Sequence, residues 1–189
     1  MDLLVVIAST RPGRVGLSVG QWFIEQAQQH SGFDNVQVAD LMELALPLLD
    51  EPQHPRLRKY TKEHTVRWSR MVDAADAVVF VMPEYNYSMT APLKNAIDFL
   101  YTEWNYKAAG LVSYGGASGG LRAQQQVKQV LTAVRMMPLP ESVGISFVSQ
   151  HLKDGRLDPP EPVAQSAQVM LDELRKWTLA LASLRSPVA

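Results

Sequence analysis

Three runs of nearly continuous apolar residues mark the chain: Leu3–Ala8, Ala77–Met82 and Ala108–Ser113. Runs of this length, rich in β-branched residues and ended by turn-forming residues, predict strands buried on both faces. Val36–Ala39 alternates polar and apolar residues, as suits an edge strand, and Val143–Val148 predicts a short last strand. Between the strands, apolar and small residues recur at helical spacing. They do so at Gly20, Phe23, Ile24 and Ala27; at Trp68, Met71, Val72 and Ala75; at Leu93, Ala96, Ile97 and Leu100; and at Val127, Val130, Leu131 and Val134. Thr90 followed by Pro92 reads as a helix start, with Thr as cap and Pro in the first turn. A final helix carries Val163, Ala167, Met170, Leu174, Trp177, Leu181 and Leu184. Its near-heptad spacing suits a coiled coil, but a single short run is more often a core-facing helix. Leu41–Lys62, with Pro47, Pro52 and Pro55, reads as a long connection, and Lys153–Pro160 as a loop.

Strands alternating with helices imply a parallel sheet covered on both faces. Five strands and five helices within 189 residues suit a single α/β domain, residues 1–189, with the flavodoxin-like strand order 2-1-3-4-5 in a three-layer sandwich. That order makes the second strand an edge. It places a ligand at the switch point beyond Ala8 and Met82, with the fourth strand's loop alongside.

Three loops meet there. Ser9–Gly16 crowds two hydroxyls (Ser9, Thr10) and two guanidiniums (Arg11, Arg14) into one strand-to-helix turn. Free backbone N–H groups and the positive end of the helix dipole favour a phosphate at such a turn. The G-x-G-x-x-G and G-x-x-x-x-G-K-[ST] patterns are absent, which argues against a dinucleotide-binding Rossmann unit and a nucleoside triphosphatase. Pro83–Ser88 offers tyrosines that can flank a flat ring, although a tight turn whose tyrosines fill a surface gap fits its composition equally well. In Ser113–Gly120, four glycines let the backbone approach a ligand closely or adopt positive φ, a weak signal that position strengthens.

The chain contains no cysteine, which removes disulfides, thiolate nucleophiles and iron–sulfur ligation, so any redox chemistry is done by something other than the protein's own sulfur. A net charge of −1 gives no basic field for nucleic acid. No apolar stretch spans a membrane and the N-terminus does not resemble a signal peptide, so a cytoplasmic protein is expected. Seven of the fifteen aromatic residues lie between Tyr85 and Tyr114, which suggests an aromatic site, a subunit interface, or both.

Ser9-Thr10-Arg11, Pro83-Glu84-Tyr85-Asn86-Tyr87-Ser88, Leu93-Lys94-Asn95-Ala96-Ile97-Asp98 and Gly115-Gly116-Ala117-Ser118-Gly119-Gly120-Leu121-Arg122 occur in that order. Together they resemble the NADPH-dependent FMN reductase family of flavodoxin-like proteins, which includes quinone, azo-dye and chromate reductases. The resemblance covers roughly Leu3–Val148. It implies FMN held without a covalent link, with NADPH or NADH as co-substrate. Ser9 and Arg11 would hold the phosphate, helped by the loop backbone through Val15 and Gly16, with Arg14 either adding a phosphate contact or pointing away toward NADPH or solvent. Pro83, Glu84, Tyr85, Asn86, Tyr87 and Ser88 would line one side of the isoalloxazine. Ser113, Tyr114, Gly115, Gly116, Ser118, Gly119 and Gly120 would line the other. Members often carry Ser at the position of Arg14 and Asn at that of Gly16, and this chain departs at both.

The implied mechanism is ping-pong: hydride passes from NAD(P)H to flavin N5, and the electrons then pass to a small acceptor such as a quinone, azo compound, chromate or free flavin. The flavin carries the chemistry and the protein orients it. No acid–base side chain is obligatory, and Tyr85 and Asn86 are candidates for positioning the acceptor. The four histidines show no metal-ligand spacing, so no metal is expected. In this family the helix that carries Leu93–Asp98 commonly packs on a second subunit, which makes a homodimer or dimer of dimers the expectation, with Lys94, Asp98 and nearby aromatics at its seam. The alternative function is a flavodoxin-type electron carrier. Such carriers are typically strongly acidic, and this chain is not.

Overall fold

A computed structural model describes residues 1–185. Its central sheet is parallel and runs β2 (Asn35–Asp40), β1 (Asp2–Ile7), β3 (Ala77–Pro83), β4 (Ala108–Tyr114), the order expected from the sequence. The edge strand β2 alone is largely exposed, whereas β3 and β4 are buried throughout.

Alternation along β1 sorts the core into two layers. Leu4, Val6 and Ala8 face α3 (Glu63–Ala74), α4 (Ala91–Asp98) and α5 (Leu121–Ala133), through Trp68, Leu93, Ile97, Val127 and Leu131. Leu3 and Val5 face α1 (Gly16–Gln29) and the long α6 (Glu161–Arg185), through Val19, Phe23, Met170 and Leu174. The last helix is therefore a core-facing helix. Leu171 and Thr178 join its buried side, while Leu184 is exposed.

The fifth strand position departs from the expected Val143–Val148. Two short pieces, β5 (Met137–Pro138) and β6 (Val143–Ile145), both pair with β4. Pro138 and Pro140 have no N–H to donate, so the ladder cannot run continuously between them. The expected loop near Lys153–Pro160 contains a small hairpin, β7 (Leu152–Lys153) with β8 (Arg156–Leu157), turned at Asp154-Gly155 and docked on α1 by Ser18 Oγ–H donating to Gly155 O.

Thr90 caps α4 as expected and adds a tie, its Oγ–H donating to Ala8 O at 3.0 Å. The start of α4 is thus pinned to the end of β1, where strand order reverses. The long connection after β2 opens with a single helical turn, α2 (Leu41–Leu44). Asn95 clamps it further on, accepting from Leu49 N–H and donating to Pro47 O. Among the described residues no helix is long and apolar enough to cross a membrane.

Candidate flavin site

The carboxyl ends of β1, β3 and β4 open onto a cleft of about 160 Å³. Ser9, Arg11, Arg14 and Val15 line it from the β1–α1 loop, Pro83, Glu84 and Tyr85 from the end of β3, and Tyr114 and Gly115 from the end of β4. These nine were expected from the sequence. Val148 also lines the cleft and was not expected. Its backbone N–H donates to Gly115 O at 3.1 Å, a loop-to-loop bond with no signature in an apolar residue.

The floor of the cleft explains Gly16. A Cβ there would collide with the Tyr114 hydroxyl and stand 2.8 Å from Ser9 Cβ. Only glycine lets β4's last residue reach under the loop. The Tyr114 ring is 5 % exposed, and its hydroxyl is buried without a hydrogen-bond partner. Burial pushes this phenol up, so it keeps its proton and has one to donate. A buried polar atom left unpaired is costly, and an acceptor bound in the cleft would remove that cost. The first turn of α1 has no side-chain cap either, so its N–H groups remain open to an anion. Exposed Arg11 completes a donor set that suits a phosphate.

Several expected positions have their side chains engaged elsewhere. Arg14 is held by both carboxylate oxygens of Asp40 and donates to Ser9 O at 2.7 Å, so it braces the loop instead of serving as a free phosphate donor. Hydrogen bonding to Asp40 raises its pKa. Asp40 also accepts from Met42 N–H, tying the loop to the start of α2. No motif in the sequence pairs residues 14 and 40, which only the β1–β2 register brings together.

Glu84 accepts from the Arg122 backbone N–H at 3.0 Å and from its guanidinium at 2.8 Å, so it caps α5. Burial pushes this carboxyl up, but the bonds from Arg122 outweigh it and hold the pKa low. Ser113 lies beneath the cleft, donating to Gly119 O and accepting from Gln124 Nε2, both at 2.7 Å. The glycine block divides as well. Gly115 and Gly116 have room around them, whereas Gly120 has φ +82° and a Cβ there would stand 2.7 Å from Ser113 Cβ. Gly119 and Gly120 therefore shape the turn into α5, and Ser118 Oγ accepts from Gly120 N–H within it. Asn86, Tyr87 and Ser88 form a tight turn beyond the cleft wall.

The run of aromatic residues disperses. Phe99 and Trp104 are core, Tyr85 and Tyr114 line the cleft, and Tyr101 stacks under Arg56. Among the described residues no group of three or more His, Asp or Glu could hold a metal ion.

The family model for NADPH-dependent FMN reductase matches residues 1–150. The NAD(P)H-dependent FMN reductase of Schizosaccharomyces pombe is 37 % identical over 159 residues, 83 % of this chain and 78 % of the relative. The quinone reductase of Pseudomonas putida is 31 % identical over 187 residues, 93 % of this chain and 94 % of the relative. The fold matches FerB, a flavoenzyme NAD(P)H:(acceptor) oxidoreductase of Paracoccus denitrificans, with a TM-score of 0.75 at 23 % identity, over 95 % of this chain and 97 % of that one. The chain belongs to the NADPH-dependent FMN reductase family, an oxidoreductase with FMN as cofactor and NAD(P)H as co-substrate.

Proposed function

We propose that the chain is an FMN-dependent NAD(P)H oxidoreductase that reduces a small quinone-like acceptor in a ping-pong cycle. The observation that carries this reading is the cleft at the switch point, where a buried, unpartnered Tyr114 hydroxyl faces Ser9, Arg11 and the open N-terminus of α1. Ser9, Arg11, Tyr114 and the loop backbone through Gly16 hold the phosphate. Pro83–Tyr85 and Tyr114–Gly115 flank the ring system. Bound there, FMN would supply the two-electron redox chemistry between NAD(P)H and the acceptor. The protein's part is to bind, orient and exclude water, and Tyr85, 39 % exposed at the rim, is placed to orient the acceptor. A net charge of −1 disfavours the alternative of an electron carrier steered to a protein partner.

The test is a steady-state panel of quinone, azo, chromate and free-flavin acceptors on FMN-loaded protein with NADPH and with NADH. Parallel double-reciprocal lines for at least one acceptor are the expected result. Protein that holds FMN but is not reduced by either nicotinamide overturns the reading in favour of a carrier.

A dimer built on α4 is part of the same proposal. Beside α4, Thr10, Leu41, Met42, Leu46, Leu48 and Pro92 line a largely apolar groove of about 460 Å³. Leu48 is 83 % exposed there, a poor state for an isolated monomer. Lys94 and Asp98 pair with each other on the same helix at 2.6 Å, half-exposed and available to a partner.

A further inference from the structure

The turn after β3 is held in a conformation that one of its residues, Tyr87, disfavours. Tyr85 N–H donates to Ser88 O at 3.0 Å and Ser88 N–H to Tyr85 O at 2.9 Å, closing a two-residue turn. Its central residues, Asn86 and Tyr87, have φ +50° and +66°. Positive φ at both is the type I′ geometry, which glycine and asparagine accept and a bulky side chain resists. Tyr87 therefore needs outside support.

That support comes from one face of α5. The Arg122 guanidinium lies over the Tyr87 ring, 4.2 Å from its centroid. The same group pairs with Glu84, the residue just before the turn, and the Arg122 backbone N–H bonds the other Glu84 oxygen. Four residues along, Gln126 accepts from Ser88 Oγ–H. Arg122 and Gln126 share a helix face, so one rigid surface grips the turn before, within and at its end. Tyr85, first residue of the turn, lines the cleft. Arg122 itself is not among the residues that line it.

We propose that Arg122 is a positioning residue of the flavin site, holding Tyr87 at positive φ and thereby setting Tyr85 at the reacting face. The proposal rests on the FMN reductase reading above. Without Arg122, Tyr87 relaxes towards negative φ and the turn carries Tyr85 out of place.

Glycine at position 87 provides the test, because it adopts positive φ without a Cβ penalty. Three variants, Arg122→Ala, Gln126→Ala and the double Arg122→Ala/Tyr87→Gly, are compared with wild type. The readouts are FMN titration, visible circular dichroism of bound FMN and stopped-flow reduction by NADPH. Arg122→Ala is expected to change the visible dichroism and slow flavin reduction by a factor of roughly 10 to 100, the scale of a displaced positioning group. Gln126→Ala shifts both in the same direction by less. The double variant recovers most of both signals, which a residue that touched substrate directly would not allow. A wild-type spectrum and rate in Arg122→Ala, or a double variant as impaired as the single, overturns the proposal. Failure of wild-type protein to bind FMN overturns the functional reading instead, and this proposal with it.

Discussion

Arg11 and Arg14 stand three positions apart in one loop, yet only Arg11 is left exposed at the cleft. Arg11→Ala is accordingly expected to weaken FMN binding by about 1.5–3 kcal/mol, the scale of a hydrogen bond to a charged group. Tyr114→Phe, which removes the orphaned hydroxyl, should cost about 1 kcal/mol. Fluorescence titration of FMN measures both, and unchanged affinity in the two variants places the phosphate elsewhere. A third residue predicts a pH effect. Lys107 is buried, donating to Val72 O and Asp73 O at the end of α3, and burial pushes its pKa from 10.5 down to about 8. Between those values the unfolded chain holds a proton that the folded chain has released, so stability from this residue rises with pH across that window. The thermal midpoint followed from about pH 8 to about pH 9.5 should climb in wild type and climb less in Lys107→Met. Identical slopes in the two proteins exclude this role for the ammonium. That Ser9 and Arg11 line the cleft was legible in the sequence, because a strand-to-helix turn at the switch point must face it. Tyr114's hydroxyl was not, because its value depends on being buried beside Gly16.

Among the elements, the β1–α1 loop and the start of α2 are joined by the Asp40–Arg14 pair, whose side chains are 7 % and 10 % exposed. Removing one partner of a buried pair leaves the other charge uncompensated. Asp40→Ala is expected to cost about 3–5 kcal/mol in urea unfolding, and Asp40→Ala/Arg14→Ala less than the sum of the single losses. Strict additivity would mean that the pair does not act as a unit. The continuous strands were legible because a strand buried on both faces must be apolar throughout. The division of the fifth strand was not, since Val143–Val148 is an uninterrupted run and the prolines that break the pairing, Pro138 and Pro140, lie before it. The final helix was legible as apolar, but which of its residues faced the core depended on where the sheet lay beneath it.

At the level of the whole molecule, an exposed Leu48 beside the groove along α4 predicts self-association. Light scattering coupled to size exclusion should give at least twice the 21.0 kDa chain mass, and Leu48→Asp should lower it. A monomeric wild type at micromolar concentration refutes the dimer. The apolar runs and their helical intervals determined the strand order, and the order determined which end of the sheet carries the ligand. Periodicity is local, and a parallel sheet of this size has few ways to wind. Tertiary structure alone decided which side chains at that end keep a free polar group and which are already paired. Arg14 turned to Asp40, Glu84 to Arg122 and Ser113 to Gln124, each drawn to a partner 26, 38 or 11 residues away. A polar side chain near a site bonds the first complementary group it meets, and pairings at those separations are created only by folding.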